Sequence, residues 1–377
     1  MNPLLTILIT VLCFIAAIGP LIFVHELGHY LAGRAFGVQA DMFSIGMGRE
    51  LFGWTDKRGT RWKVSALPIG GYVKFAGDMG PASTPDPAWL AQPPEQRART
   101  LQGRPVWQRF LVVLAGPATN FVAAIAIFTL YFAITGVPQT PATISQVAPG
   151  TAAAAAGLRP GDHVVSVAGR SVANFEDMAQ MIMLRPGQRL ILGIERGGAY
   201  RAVPVTPQRK HVSDGAGNES EIGLLGVASG RSVQTRVGPI ATVAASFRET
   251  GHILQTMMDV IGQIVGGERS AKELGGPLKI AQFSGQVATF GWLPFIRFMA
   301  FISINLGFIN LLPIPLLDGG HLFFYIIEGV RRRPLPAQTQ EWAFRSGLAL
   351  LLGFMLFVTV NDLASFGLWR RLAGLIG

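Results

Sequence analysis

Residues 25–29 read His-Glu-Leu-Gly-His. On an α-helix, positions four apart share a face, with Cβ atoms roughly 5–6 Å apart. His25 and His29 can therefore turn both imidazoles toward one divalent ion, and Zn²⁺ takes imidazole nitrogen at about 2.0–2.1 Å. Glu26 adjoins the first of them, where a carboxylate can take a proton from the attacking water. Zinc brings the pKa of such a water to about 7. Two imidazoles leave the ion one protein ligand short. The best candidate is Asp318, in the stretch Asn310-Leu-Leu-Pro-Ile-Pro-Leu-Leu-Asp-Gly-Gly-His321. Pro313 and Pro315 prevent regular helix there, and the broken backbone is a mount for a carboxylate. His321 is an alternative ligand or a group behind one, although a solvated interfacial histidine is the plainer reading. The five-residue pattern also arises by chance, and polar residues bonded to headgroups or neighbouring helices are its bland alternative.

The elements that must carry these groups are apolar. Half of the 377 residues are hydrophobic and only 14% are charged, where about 25% is usual, and the mean hydropathy is +0.39. That composition excludes a disordered chain and argues against an ordinary cytosolic enzyme. Residues 4–24 carry no charge, which is enough to cross about 30 Å of hydrocarbon. A cleaved signal peptide competes with this reading, but no Lys or Arg precedes the run and no small-residue cleavage pattern follows it. Ionisable groups at the end of a span are unfavourable unless employed, a central charge costing roughly 2.5–3.5 kcal/mol. Further uncharged runs cover residues 110–137, about 298–317 and about 346–360, the last with ends that can reach Trp342 and Leu368. Four spans are predicted. The net charge of +10 is scattered, with Arg331-Arg332-Arg333 the only run, so nucleic-acid binding is not expected. The single cysteine, Cys13, allows no disulfide.

Residues 34–104 carry ten Lys/Arg against six Asp/Glu, and residues 331–345 four Arg against one Glu. The positive-inside tendency places these two loops, 33–106 and 331–345, in the cytoplasm. Both termini and the long 138–290 segment then lie on the other side. Within that segment, residues 142–207 alternate strand and helix signals. Strands are expected at 143–147 and 163–167, helices at 152–156 and 175–184, and a hairpin of 190–195 with 200–205 around Gly197-Gly198. Pro149-Gly150, Ala155-Ala156-Gly157-Leu158 and Pro160-Gly161-Asp162 resemble a circularly permuted bacterial PDZ domain. Such a domain binds extended peptide by strand addition, or acts here only by excluding bulky partners. Residues 253–264 repeat apolar positions at helical spacing, and Gly275-Gly276-Pro277 ends the pattern. The expectation is an amphipathic helix along the membrane surface.

The chain as a whole resembles the site-2 protease family of intramembrane zinc metalloproteases, in particular the bacterial regulator-of-sigma-E protease group. The resemblance is carried by residues 25–29, by Gly116-Pro117-Ala118-Thr119-Asn120 and by residues 310–319. Phe43-Ser44-Ile45-Gly46 and Gly70-Gly71-Tyr72-Val73-Lys74 add to it. Many members of the family carry two PDZ modules, and one is found here. The resemblance implies Zn²⁺ held by His25, His29 and Asp318, with Glu26 as catalytic base. It implies that Asn120 and Asn310 meet substrate backbone or the developing oxyanion; interhelical hydrogen bonding is their alternative. It also implies a multi-pass protein of the bacterial inner membrane that cleaves single-pass proteins already shortened by another protease, such as anti-sigma factors or remnant signal peptides.

Residues 61–67 and 71–75 alternate like strands around Pro68-Ile-Gly-Gly71. A hairpin dipping toward the active site would offer the edge at Gly71, Tyr72 and Val73 to a substrate helix that must unwind before hydrolysis. A hairpin packed only for stability is the alternative. The expected fold is a polytopic α-helical membrane protein of about four transmembrane helices with this membrane-associated β-hairpin and one periplasmic α+β PDZ domain. Its expected segments are 1–137 (two spans and the hairpin), 138–230 (PDZ), 231–292 (membrane-surface helix) and 293–377 (two spans). Besides substrate, its partners would be the lipid bilayer and a periplasmic peptide or bulky domain at the PDZ. The rival function is a non-catalytic membrane scaffold that collects periplasmic peptides on its PDZ.

Overall fold

A computed structural model describes residues 3–78, 93–213, 219–230, 233–270, 275–333 and 335–365. The chain forms two compact units, residues 1–128 with 276–357 and residues 129–275 with 358–377. Among the described residues, four helices are long and apolar enough to cross a membrane: Leu4–Ala35, Val106–Thr135, Trp292–Leu311 and Gln338–Ala364. On the first, Leu4, Ile7, Leu8 and Leu12 are each more than half exposed. Such a stripe would be unfavourable in water and costs nothing against lipid. The first helix does not stop at Val24 but runs from Pro3 to Ala35, so the His-Glu-Leu-Gly-His stretch is helical and its two histidines share a face. The third begins at Trp292 rather than near Phe298, because Arg297 lies inside the helix, where a long side chain can carry its charge away from the apolar core. An extension of the fourth span to Leu368 lies outside the described residues.

In the first unit two long bent strands, Ala40–Thr55 and Arg61–Phe75, pair antiparallel. Residues 61–67 and 71–75 do not pair with one another as expected. Phe43 is partnered by Val73 on one side and by Trp62 on the other. Residues 40–45 therefore lie between 61–64 and 71–75, and 50–55 flank 61–65 on the far side. This inner strand was missed because Gly46 and Gly48, at φ +82° and +87°, interrupt the alternation by which strands are recognised. A Cβ on Gly46 would lie 2.5 Å from the Leu67 carbonyl oxygen, so the crossing of the strand over residue 67 needs glycine. Phe43 packs with Tyr30, Val38, Val73, Phe75 and Val112. That cluster ties the sheet to the first and second spans.

In the second unit a four-stranded antiparallel sheet runs in the order Arg170–Ser171, His163–Val167, Leu190–Arg196, Ala199–Val205. The hairpin forms with Glu195 opposite Tyr200. Helices occupy Ala152–Ala155 and Phe175–Met183, capped by the side chains of Thr151 and Asn174. Ile144, Val164, Met178, Leu192 and Ile194 fill the core. The Arg159-Pro160-Gly161-Asp162 turn is held by Arg196, whose guanidinium donates to both Asp162 carboxylate oxygens at 2.6 and 2.7 Å. Burial alone would raise the Asp162 pKa, and these bonds hold it below the usual carboxylate range.

The expected amphipathic helix spans Pro239–Val265, and a second helix, Pro277–Thr289, follows Gly275-Gly276. The polar side of the longer helix meets the α+β domain. Thr256 accepts from Gln180 at 2.9 Å, Asp259 from Arg170 at 2.7 Å, and His252 lies 3.4 Å from Asp177. The hydrogen bond to Asp177 raises the His252 pKa, burial opposes it, and the charges of Asp177 and Glu249 add to the rise. A raised folded pKa means that this contact stabilises fully below the unfolded value of about 6.5 and fades as pH climbs through the folded value. In amide exchange, His252→Ala should therefore lower protection of residues 239–265 at about pH 5.5 and leave it unchanged near about pH 9. An equal loss at both pH values would assign the contact to packing.

Candidate metal centre

His25 and His29 stand one turn apart on the first span, and Asp318 opens the helix Asp318–Arg331. Asp318 Oδ2 lies 3.1 Å from His25 Nε2 and 3.4 Å from His29 Nε2, and the two Nε2 atoms are 3.3 Å apart. Ligands at about 2.0–2.1 Å from a tetrahedral ion stand about 3.3–3.4 Å from one another, so the three edges fit one zinc. Oδ2 is shut off from solvent and makes no hydrogen bond of acceptable geometry. Electron pairs on three such atoms repel one another unless a cation lies among them. The residues present fit the metal.

Each imidazole has a partner behind it. His29 Nδ1 lies 3.0 Å from the Val112 carbonyl oxygen, which accepts its proton and leaves Nε2 free. His25 Nδ1 lies 3.0 Å from the Asn120 amide nitrogen, Nδ2. The second span comes this close because its glycine and the first span's have no side chains to keep the helices apart. A Cβ on Gly28 would lie 2.5 Å from the Ala115 carbonyl oxygen, and one on Gly116 would overlap the His29 ring at Nε2. Thr119 Oγ1 donates to the Val24 carbonyl across the same contact. Gly116→Ala is therefore expected to push His29 off its position, at a cost of about 1–3 kcal/mol. Purified protein should show weakened zinc retention; retention equal to the parent chain would mean that the helices part without moving the ring.

The pair opens on a cavity of about 360 Å³ lined by His25, Glu26, His29, Gly71, Tyr72, Val73, Asn310, Leu316, Asp318 and His321. The Val73 backbone N–H hydrogen-bonds the Glu26 carboxylate, and a Cβ on Gly71 would sit 2.8 Å from Glu26 Cγ. Among the residues singled out from sequence, Asn310 and the strand edge at 71–73 face this cavity. Asn120 is wholly buried behind His25 and is not part of the lining. His321 lines it and packs on Phe344, ring centroids 5.1 Å apart, and stands outside the group of three donors. Sequence reasoning missed the Val112 carbonyl, Gly116 as the space for His29, and Leu316. Leu316 has φ +80°, a conformation that disfavours a side chain with Cβ by about 1–2 kcal/mol. It bends the chain between Pro315 and Asp318; a non-glycine residue gives no sequence signal for such a turn.

Residues 13–354 match peptidase family M50. The chain is 45% identical over 357 residues to a protein of Agrobacterium fabrum named among the zinc metalloproteases, covering 93% of this chain and 95% of the relative. A similarly named protein of Rhizobium meliloti is 42% identical, over 94% and 96% of the two chains. The metalloprotease MmpA of Caulobacter vibrioides is 36% identical, over 98% of each. The four apolar helices and these similarities together mean that the chain belongs to peptidase family M50, the site-2 proteases, and is a membrane zinc metalloprotease.

Proposed function

We propose that the chain is an intramembrane endopeptidase that cuts the transmembrane segments of single-pass proteins near the cytoplasmic face. The observation that carries this reading is the convergence of the His25, His29 and Asp318 donor atoms within 3.1–3.4 Å of one another beside Glu26. His25, His29 and Asp318 hold the zinc, which when bound supplies Lewis acidity for a peptide carbonyl and a water acidified to about pKa 7. Glu26 takes the proton from the attacking water and returns it to the leaving amine. Residues 71–75 have one side paired with 40–45 and present the other beside the cavity. An unwound substrate segment adds to that edge, which satisfies the backbone groups that its own helix gave up. Asn310, on the cavity wall, is placed to meet the same backbone. The exposed Met47, Leu51, Phe52 and Trp54 of the strand pair are compatible with a sheet that dips into the lipid.

The 138–230 region is read as a PDZ domain that meets a periplasmic peptide or excludes substrates still bearing bulky domains. Loops 33–106 and 331–345 face the cytoplasm and both termini the periplasm of an inner membrane, from the distribution of Lys and Arg. Substrates then arrive already trimmed, in regulated intramembrane proteolysis of anti-sigma factors or remnant signal peptides. In proteoliposomes, a single-span substrate truncated on its periplasmic side should be cut within the span, by a reaction that a chelator stops and zinc restores. An intact substrate, with one zinc bound per chain, would overturn the proposal.

A further inference from the structure

Asn120 is 0% exposed, and its place on the second span is fixed from behind by Ser303, whose Oγ donates to the Asn120 backbone carbonyl at 2.8 Å. Its amide nitrogen Nδ2 lies 3.0 Å from His25 Nδ1, and its amide oxygen has no hydrogen-bond partner. His25 Nε2 faces Asp318 and His29. An imidazole that offers Nε2 to a metal is neutral and keeps its proton on Nδ1, so it needs an acceptor there. His29 has one in the Val112 carbonyl. Behind His25 the corresponding place is taken by Asn120. The two ends of a carboxamide fill the same volume, and the hydrogen-bond network decides which faces the ring. An NH₂ opposite Nδ1–H would repel it, whereas the oxygen accepts it.

We infer that Asn120 is the positioning residue for His25: its amide oxygen accepts the Nδ1 proton, holds the ring in the tautomer with Nε2 free, and thereby sets the affinity for zinc. This rests on the reading of His25 as a ligand. It gives Asn120 a part in metal retention instead of the substrate contact implied by the family resemblance, which a buried amide behind the ring is badly placed to make.

The test measures zinc affinity of the detergent-purified full chain by competition with a chromophoric chelator, and the visible absorption of the Co²⁺-substituted protein. Asn120→Leu keeps the volume and removes the acceptor, and should weaken zinc by about 10–100-fold with a changed cobalt spectrum. Asn120→Asp supplies a carboxylate oxygen to the same proton and should hold zinc as tightly as the parent, within about threefold, or more tightly. If the amide instead donated its N–H to a bare Nδ1, the carboxylate would face a lone pair, and Asp would be as harmful as Leu. A larger loss with Asp, or parental affinity with Leu, overturns the inference, as does a rise in KM alone with zinc affinity unchanged. Should the Leu variant fail to fold, the Asp variant decides by itself. His25→Ala separates the two readings: if it binds zinc like the parent, the ligand assignment has failed and not only the role of Asn120.

Discussion

Glu26→Gln should leave one zinc per chain and lower kcat on a single-span substrate by at least about 10³-fold, within the 10²–10⁴ range for loss of a positioned general base. The change is nearly isosteric. The amide oxygen can still accept from the Val73 N–H, and the side chain still fits over Gly71, where no Cβ is tolerated. What is lost is the ability to accept a proton from water. The three donor atoms belong to other residues, so the metal should stay. Zinc content by elemental analysis and single-turnover cleavage of the same preparation decide the matter. Turnover within tenfold of the parent would remove Glu26 from the role of base.

Asp318→Ala acts on the opposite half of the machinery. It removes one of three donor atoms and the only anionic one, and leaves two imidazoles 3.3 Å apart at Nε2. Zinc bound by two neutral ligands exchanges readily, since structural and catalytic sites alike use at least three protein ligands. After dialysis against a weak chelator the variant should hold less than about a tenth of the parental zinc, and activity should fall with it. Asp318→Asn preserves the volume and tests the charge: it should lose most of the metal as well. Full zinc occupancy in either variant would place the ion elsewhere.

Much of this centre was legible in the sequence. The spacing of His25 and His29 has meaning only on a helix, and the uncharged run before them made a helix the one reasonable setting. Pro313 and Pro315 marked the break that presents Asp318. The β region was read less well. Its segments 61–67 and 71–75 were recognised by alternation, but nearness in sequence made them partners of one another, whereas residues 40–45, in a strand that Gly46 and Gly48 interrupt, separate them. Asn120 was singled out, yet its place behind the ring was not readable. Helical periodicity tells which residues share a face and says nothing of which neighbour that face meets. Over residues 143–205 of the second unit the local signals sufficed, because turns such as Gly197-Gly198 join adjacent strands; the short strands Val137–Gln139, Gln208–Ser213, Glu219–Leu224, Val227–Ser229 and Val233–Thr235 went unread.

The separation of the three donors in sequence has a consequence for how the enzyme is made. Asp318 leaves the ribosome nearly 300 residues after His25 and His29, roughly 15–60 seconds later at 5–20 residues per second. A nascent chain halted or truncated before the third hydrophobic helix has inserted cannot complete the cage for its ion. On the proposed ligand set, the growing polypeptide is expected to be proteolytically silent until residue 318 has been made and the helix before it inserted.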